Sequence, residues 1–560
     1  MRLSTPSAAA ALLAAAASLP DAQLPLRYAV SSPDQSNSFA VGAAGLGDVD
    51  GDGAPDFAVV DWTAAPFTPV DEVLVFSGRT GALVRVLQGL ENDDDFGAGL
   101  AALGDVDGDG VPDLAVGSPG EDTNANASGR VDVISGADGS TIRTLFGTGH
   151  LHVFGRTVAN PGDVSGDGVD DLLVTAAGEN IPPAWGGIVR LFDGASGAQL
   201  DLYSNGATTS DLAEGYGDSL AGAGDLDGDG VRDVLVGAPF RLGTDATGEF
   251  ARFGAVEARS GADGSLLFQL DDLGSDLGSN QAYGRAVAGG TDLDGDGVGE
   301  VLVGVTGDDT NGPNAGALYV YDGATRALLA KHLGDPQGSG SFGYHCGFVG
   351  DVNGDGTADY AAAYDYSGTI GYSGYVRIYS GVDHQLLDQL GGAGVDCFGS
   401  AFAPVGDVDG DLLPDLVVGA RCAREARVMS VAGARVYGEV PAEATQSLDL
   451  VWTPSGGPDP ARGTLEATGG PPGAPALFAC AFAPAMGDFF GATLLIDLAD
   501  PGLALEPVAL DGLGEYRSIE TTLRQPALDG VGVYCQLLAL DLGSPLGFVT
   551  SAGLDLRLTD

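Results

Sequence analysis

GDVDGDGVPDLAVGSP (Gly104–Pro119) sets Asp105, Asp107 and Asp109 at alternate positions and places a fourth aspartate, Asp113, four residues further on. Gly104, Gly108 and Gly110 fall in the same stretch, and the chain then turns apolar. Carboxylates this close repel one another unless a cation sits among them. Alternating hard oxygen ligands, on a loop that glycines allow to curl, suit calcium. Gly108 and Gly110 supply backbone angles that residues with a side chain adopt only at a cost. By analogy with other Asp-x-Asp-x-Asp-Gly loops, the carbonyl of Val111 is expected to complete the ring. A single copy would also read as a plain solvated acidic turn.

The stretch is not single. The same loop opens at Asp48, Asp105, Asp163, Asp225, Asp292, Asp351 and Asp407, at spacings of 57, 58, 62, 67, 59 and 56 residues. A recurring period of this size marks a repeat architecture. The candidate calcium ligands are Asp48, Asp50, Asp52 and Asp56 in loop one, and Asp105, Asp107, Asp109 and Asp113 in loop two. Loop three has Asp163, Ser165, Asp167 and Asp171, and loop four Asp225, Asp227, Asp229 and Asp233. Loop five has Asp292, Asp294, Asp296 and Glu300, and loop six Asp351, Asn353, Asp355 and Asp359. Loop seven has Asp407, Asp409, Asp411 and Asp415, with Leu412 where the others carry the turn glycine. That leucine makes loop seven the weakest candidate. EF-hand and dockerin readings of the same pattern need a glutamate at position twelve and helical flanks. Position twelve here is Val59 or Val116, and the flanks read as strands.

Each repeat has the same order of parts. In the second, residues 96–104, 113–119, 129–136 and 141–147 read as four short strands joined by glycine-rich turns. No segment sustains a helical period. A small antiparallel sheet cannot bury both faces alone, but seven in series can stack around an axis. The expected fold is therefore all-β: a seven-bladed β-propeller over residues 26–440. Residues 26–31 are expected to close the ring as the fourth strand of blade seven, with 434–440 as the alternative. From about 441 the period stops, and residues 441–560 read as a small C-terminal β-sandwich without acidic loops.

The repeats resemble FG-GAP repeats, those of the seven-bladed propeller of integrin α subunits. The "FG" stands as Phe96-Gly97, Phe154-Gly155, Phe342-Gly343 and Phe398-Gly399, softened to Tyr216-Gly217, Tyr283-Gly284 and Phe39-Ala40. The "GAP" is whole at Gly237-Ala238-Pro239, close to it at Gly117-Ser118-Pro119, and decayed at Gly419-Ala420-Arg421. The resemblance covers about residues 26–440. It implies that the acidic loops join first and second strands on one rim, and that partners meet the opposite rim. Trp62, Phe67, Trp185 and Phe240, in variable loops of that opposite rim, are candidate contact anchors or blade-edge caps.

The chain is strongly acidic, with 78 acidic against 24 basic residues and a formal net charge of −54. That excludes nucleic acid and anionic membrane as natural partners. Residues 1–22 read as a signal peptide with Arg2, an apolar run over 8–17 and Ala22 before cleavage. No later stretch has the length of a transmembrane segment. The expectation is a secreted protein of bacterial type, extracellular or at a cell surface. Five cysteines do not make a framework. Cys397–Cys422 and a Cys480–Cys535 link across the sandwich are candidate disulfides, and Cys346 reads as a buried thiol.

No catalytic constellation appears. His150 and His152 could share a face, but there is no Gly-x-Ser-x-Gly elbow and no zinc spacing, so the chain is read as a non-enzyme. The leading reading is a binding or adhesion module for an extracellular protein or glycan, carrying up to seven mainly structural calcium ions. The alternatives are an enzyme cleaving polysaccharide or phosphoester and a passive surface-layer component. Oligomeric state is left open.

Overall fold

The computed structural model describes residues 26–430 apart from 33–37, 63–69, 91–93, 180–186, 205–214, 245–249, 272–280, 337–340, 366–373, 392–395 and 411–412. Beyond 430 it describes strand backbone between 449 and 557. The signal-peptide residues, Phe67, Trp185, Asp411, Leu412 and the alternative closing strand 434–440 lie outside the described residues.

Seven four-stranded antiparallel sheets follow one another, and no helix occurs among the described residues. Blade two is typical, with strands Gly99–Ala102, Leu114–Ser118, Arg130–Ile134 and Thr141–Phe146 paired in order. Blade seven takes three strands from one end of the chain, Phe398–Gly406, Asp415–Ala420 and Glu425–Met429. Its fourth is Leu26–Ser31, which pairs antiparallel with Glu425–Met429, so the expected closing strand is the one used. Blade four carries an addition that the sequence reading took for loop: a hairpin of Leu242–Thr244 and Phe250–Arg252.

The core sits between blades. Each second strand is buried along its length, as in Leu114–Ser118, whereas the fourth strands are only partly buried, as in Thr141–Phe146. Apolar clusters join neighbours, for example Val60 and Val75 of blade one with Leu114 and Val116 of blade two. The cluster of Phe39, Phe57 and Leu74 with Val405, Val417 and Val428 joins blade seven to blade one and completes the ring.

The repeat motif has a packing reason. The aromatics Phe39, Phe96, Phe154, Tyr216, Tyr283, Phe342 and Phe398 are all buried. The following glycine takes a left-handed conformation, as in Gly155 (φ +89°) and Gly343 (φ +85°), and the strand register shifts just after it. The glycine of the "GAP" lies against that turn in the next blade. A Cβ on Gly117 would sit 1.9 Å from the Gly155 carbonyl oxygen, and one on Gly304 would sit 2.0 Å from that of Gly343. The two halves of the motif are thus the two sides of one blade-to-blade contact.

The chain divides into two compact units, the seven sheets and the region from 432 to 560. The second contains a sheet built on Asp449–Pro454 and Arg462–Thr468, a five-stranded sheet centred on Pro475–Ala481 and Gly532–Leu540, and a hairpin of Pro484–Phe489 with Ala492–Ile496. Cys480 stands directly opposite Cys535 on adjacent strands of one sheet, not across two sheets as expected. Cys397 and Cys422 form a disulfide.

Candidate metal sites

The acidic loops join first to second strands, so antiparallel order puts all of them on one rim. In loop one the Asp48 carboxylate accepts hydrogen bonds from the amides of Gly51, Asp52 and Gly53 at 2.7–3.1 Å. The Asp105 carboxylate of loop two repeats this with Gly108, Asp109 and Gly110. The fifth-position aspartate caps the loop's end: Asp109 accepts from Val111 at 2.8 Å. Gly108 and Gly110 take φ of +82° and +90°, as the sequence requires.

Carboxylate oxygens converge within 4.8 Å in five loops. The groups are Asp48, Asp50 and Asp56; Asp105, Asp107 and Asp113; Asp225, Asp227 and Asp229; Asp292, Asp294 and Glu300; and Asp407, Asp409 and Asp415. Four of the five use the first, third and ninth positions, leaving Asp52, Asp109 and Asp296 to their capping bonds. Loops three and six form no such group among the described residues. In loop three Ser165 leans on Asp163 at 3.4 Å, while Asp167 caps Val169. In loop six the Asn353 amide donates to Asp355 at 2.9 Å, where a third carboxylate would repel it.

Sequence reasoning missed what the ninth position does. Asp56, Asp113, Asp171, Asp233, Glu300, Asp359 and Asp415 are fully buried. Asp113 takes the Val106 amide on one oxygen and, on the other, the amide of Gly136, at the turn after the third strand. Gly78, Gly194, Gly261 and Gly381 donate in the same way to Asp56, Asp171, Asp233 and Asp359. The acid therefore ties its loop to the next hairpin. The signal was present as a glycine recurring 22–28 residues after each of these aspartates.

Burial raises the carboxyls of Asp56, Asp113 and Asp171 against the pull of these amides. Asp233 rises to about 6 through burial, with Asp227 and Asp229 adding repulsion. Glu300 is pushed furthest, to about 7, by burial and by Asp294, Asp292 and Asp296. Its longer side chain leaves Oε1 buried with no hydrogen-bond partner. An orphaned buried oxygen beside convergent carboxylates fits a divalent cation, which would relieve both the desolvation and the repulsion.

Loop seven differs. The guanidinium of Arg27, on the closing strand, pairs with Asp409. A cation of the chain itself already stands at that cluster.

The other candidates divide between packed and exposed positions. Trp62 donates its indole N–H to the Phe96 carbonyl at 3.1 Å, spanning blades one and two as a cap rather than a free anchor. Phe240 is 36% exposed. His150 is exposed, whereas His152 lies 3.4 Å from Glu179. His332 stacks on Tyr379 with ring centroids 3.7 Å apart, and burial lowers its pKa to about 4. Cys346 is half-buried, and burial pushes its thiol up to about 12.

A family model described as FG-GAP repeat matches residues 96–134, 216–250 and 283–321. Integrin alpha-5 of Xenopus laevis is 29% identical over 253 residues, which cover 42% of this chain and 22% of that protein. Integrin alpha-PS2 of Drosophila melanogaster is 30% identical over 227 residues, 39% of this chain and 16% of its own. Integrin alpha-2 of Mus musculus is 40% identical over 96 residues, 15% of this chain and 8% of its own. The chain thus spans less than a quarter of each of these relatives. A solved structure described as the Dos1 propeller superposes with a TM-score of 0.36 at 11% identity, over 68% of this chain and 76% of that one, too loosely to carry an argument.

Proposed function

Starting from an integrin-alpha-like propeller of FG-GAP repeats, we propose that the chain is a secreted, calcium-stabilised binding module for an extracellular protein or glycan. The observation that carries this is the rim of convergent, partly buried carboxylates in a chain whose relatives are integrin alpha subunits. Calcium would be held by the five converging groups, with loop seven weakened by Arg27. Its part is structural: it neutralises carboxylates that the fold gathers and partly buries. At free calcium ten times the dissociation constant, a filled site contributes about 1.4 kcal/mol. Residues 1–22 would direct export, and 441–560 would serve as an accessory or anchoring module. No residue is assigned a catalytic role.

The test has two arms. Thermal unfolding is compared in excess EDTA, in millimolar calcium and in millimolar magnesium, and a calcium-specific rise in Tm is expected. The immobilised chain is then probed with purified matrix proteins and a glycan array in calcium and in EDTA. Calcium-dependent capture of one ligand supports the proposal. Turnover of a polysaccharide or phosphoester, or ordered self-association without a ligand, overturns the binding role. An unchanged Tm overturns the metal.

A further inference from the structure

In blades three, four and five, the third residue after the second strand pairs with the third residue of the third strand. In blade seven these positions are Ala423 and Arg427, and Arg427 turns to Asp396 instead. In blade three these are Glu179 and Arg190, joined at 2.5 Å. In blade four the signs are exchanged: Arg241 and Glu257 meet at 2.7 Å. In blade five they are Asp308 and Tyr319, whose hydroxyl donates at 2.8 Å. There the charge is balanced by Lys331, which stands opposite Tyr319 on the fourth strand and places its ammonium 2.8 Å from the same Asp308 oxygen. Burial alone would raise the Asp308 carboxyl, but Lys331 and the neighbouring hydrogen bonds hold it below its usual value.

Blade two places like charges at these positions. Its pair is Glu121 and Asp132, two acids, and the fourth-strand residue opposite Asp132 is Thr144 where blade five has Lys331. Both acids line a cavity of about 220 Å³ between blades one and two, together with Asp94 and Arg130. Asp94, Glu121 and Asp132 are 2, 3 and 5% exposed. Arg130 pairs with Asp132 at 2.7 Å, and Thr144 donates to the same carboxylate. Glu121 accepts from the Thr123 amide on Oε1, while its Oε2 is buried with no hydrogen-bond partner. Glu121 Oε2 thus lies buried and unpaired at a cavity whose one cationic lining residue, Arg130, is bound to Asp132, and Thr144 stands where blade five has Lys331. Among the described residues, acids converge tightly enough for a bare metal ion only in the acidic loops.

We infer that the cavity between blades one and two binds a primary alkylammonium group, seated on Glu121 Oε2 as Lys331 is seated on Asp308. The group can come from a free amine or from a lysine side chain of a protein partner. The inference stands on the comparison of blades and does not depend on the binding role proposed above.

The test uses the full chain in calcium, with propylammonium and Nα-acetyl-lysine amide titrated by calorimetry and methyl NMR. Propylguanidinium and tetramethylammonium at equal ionic strength are the controls. Saturable binding of propylammonium over both controls is expected. Glu121→Gln should weaken it about tenfold, the worth of one charge-assisted hydrogen bond. Thr144→Lys should abolish it and raise Tm, because it supplies the ammonium from within. Binding of both amines assigns the cavity to a partner's lysine as well, and binding of propylammonium alone assigns it to free amines. No saturable binding, or binding untouched by Glu121→Gln, overturns the inference. Should Thr144→Lys not fold, Glu121→Gln decides alone.

Discussion

At the scale of the residue, the conformation of Ala40 shows how the fold imposes itself on its sequence. It occupies the left-handed position (φ 62°) that glycine fills in the other six repeats, for example at Gly97 and Gly155. Ala40→Gly should therefore stabilise the protein by about 1 kcal/mol, read as a shift in urea midpoint at unchanged slope. Glu300 makes a prediction about pH. Its folded pKa lies above the unfolded value, so its contribution is fully present below about pH 4.5 and is lost as pH rises through about 7. Asp233 adds to the same trend up to about 6. In EDTA, Tm should fall across this window. With calcium bound the carboxylates stay ionised and the fall should vanish, which parallel Tm profiles would show. The convergence of carboxylates in five of the loops was legible because the acids alternate along one tight turn. The ninth position's second task was not, because the amide of Gly136 that answers Asp113 belongs to a turn the loop's own pattern does not reach.

At the scale of the element, the closing strand does two jobs. Tyr28 and Val30 pack against the core shared by blades seven and one, and Arg27 reaches the acidic loop of blade seven. Arg27→Ala should lower Tm in EDTA and strengthen calcium binding at loop seven, detected as one more tight site by calorimetry. The Cys397–Cys422 disulfide spans 25 residues and holds the turn after blade seven's second strand to the start of its first. Reducing it should cost about 3 kcal/mol, measured by denaturant unfolding with and without reductant. Strand order was legible because the loops recur at nearly constant spacing and the apolar runs between them can only be strands. The hairpin Leu242–Thr244 with Phe250–Arg252 was not, since each of its strands is only three residues long, too short to show an alternating pattern in the sequence. Blade two's orphaned Glu121 oxygen also escaped notice, because it stands out only by comparison with residues that blades three, four and five bring together in space.

At the scale of the whole molecule, one feature governs when the fold can exist at all. The strand that closes the ring is made first and paired last: Arg27 and its partner Asp409 are 382 residues apart. At synthesis rates of about 5–20 residues per second, that separation is roughly 20–80 s of elongation. Throughout that interval the ring has a gap. The chain that emerges is an open row of blades, each needing a neighbour to cover its faces, and it becomes a closed ring only when blade seven meets the strand Leu26–Ser31.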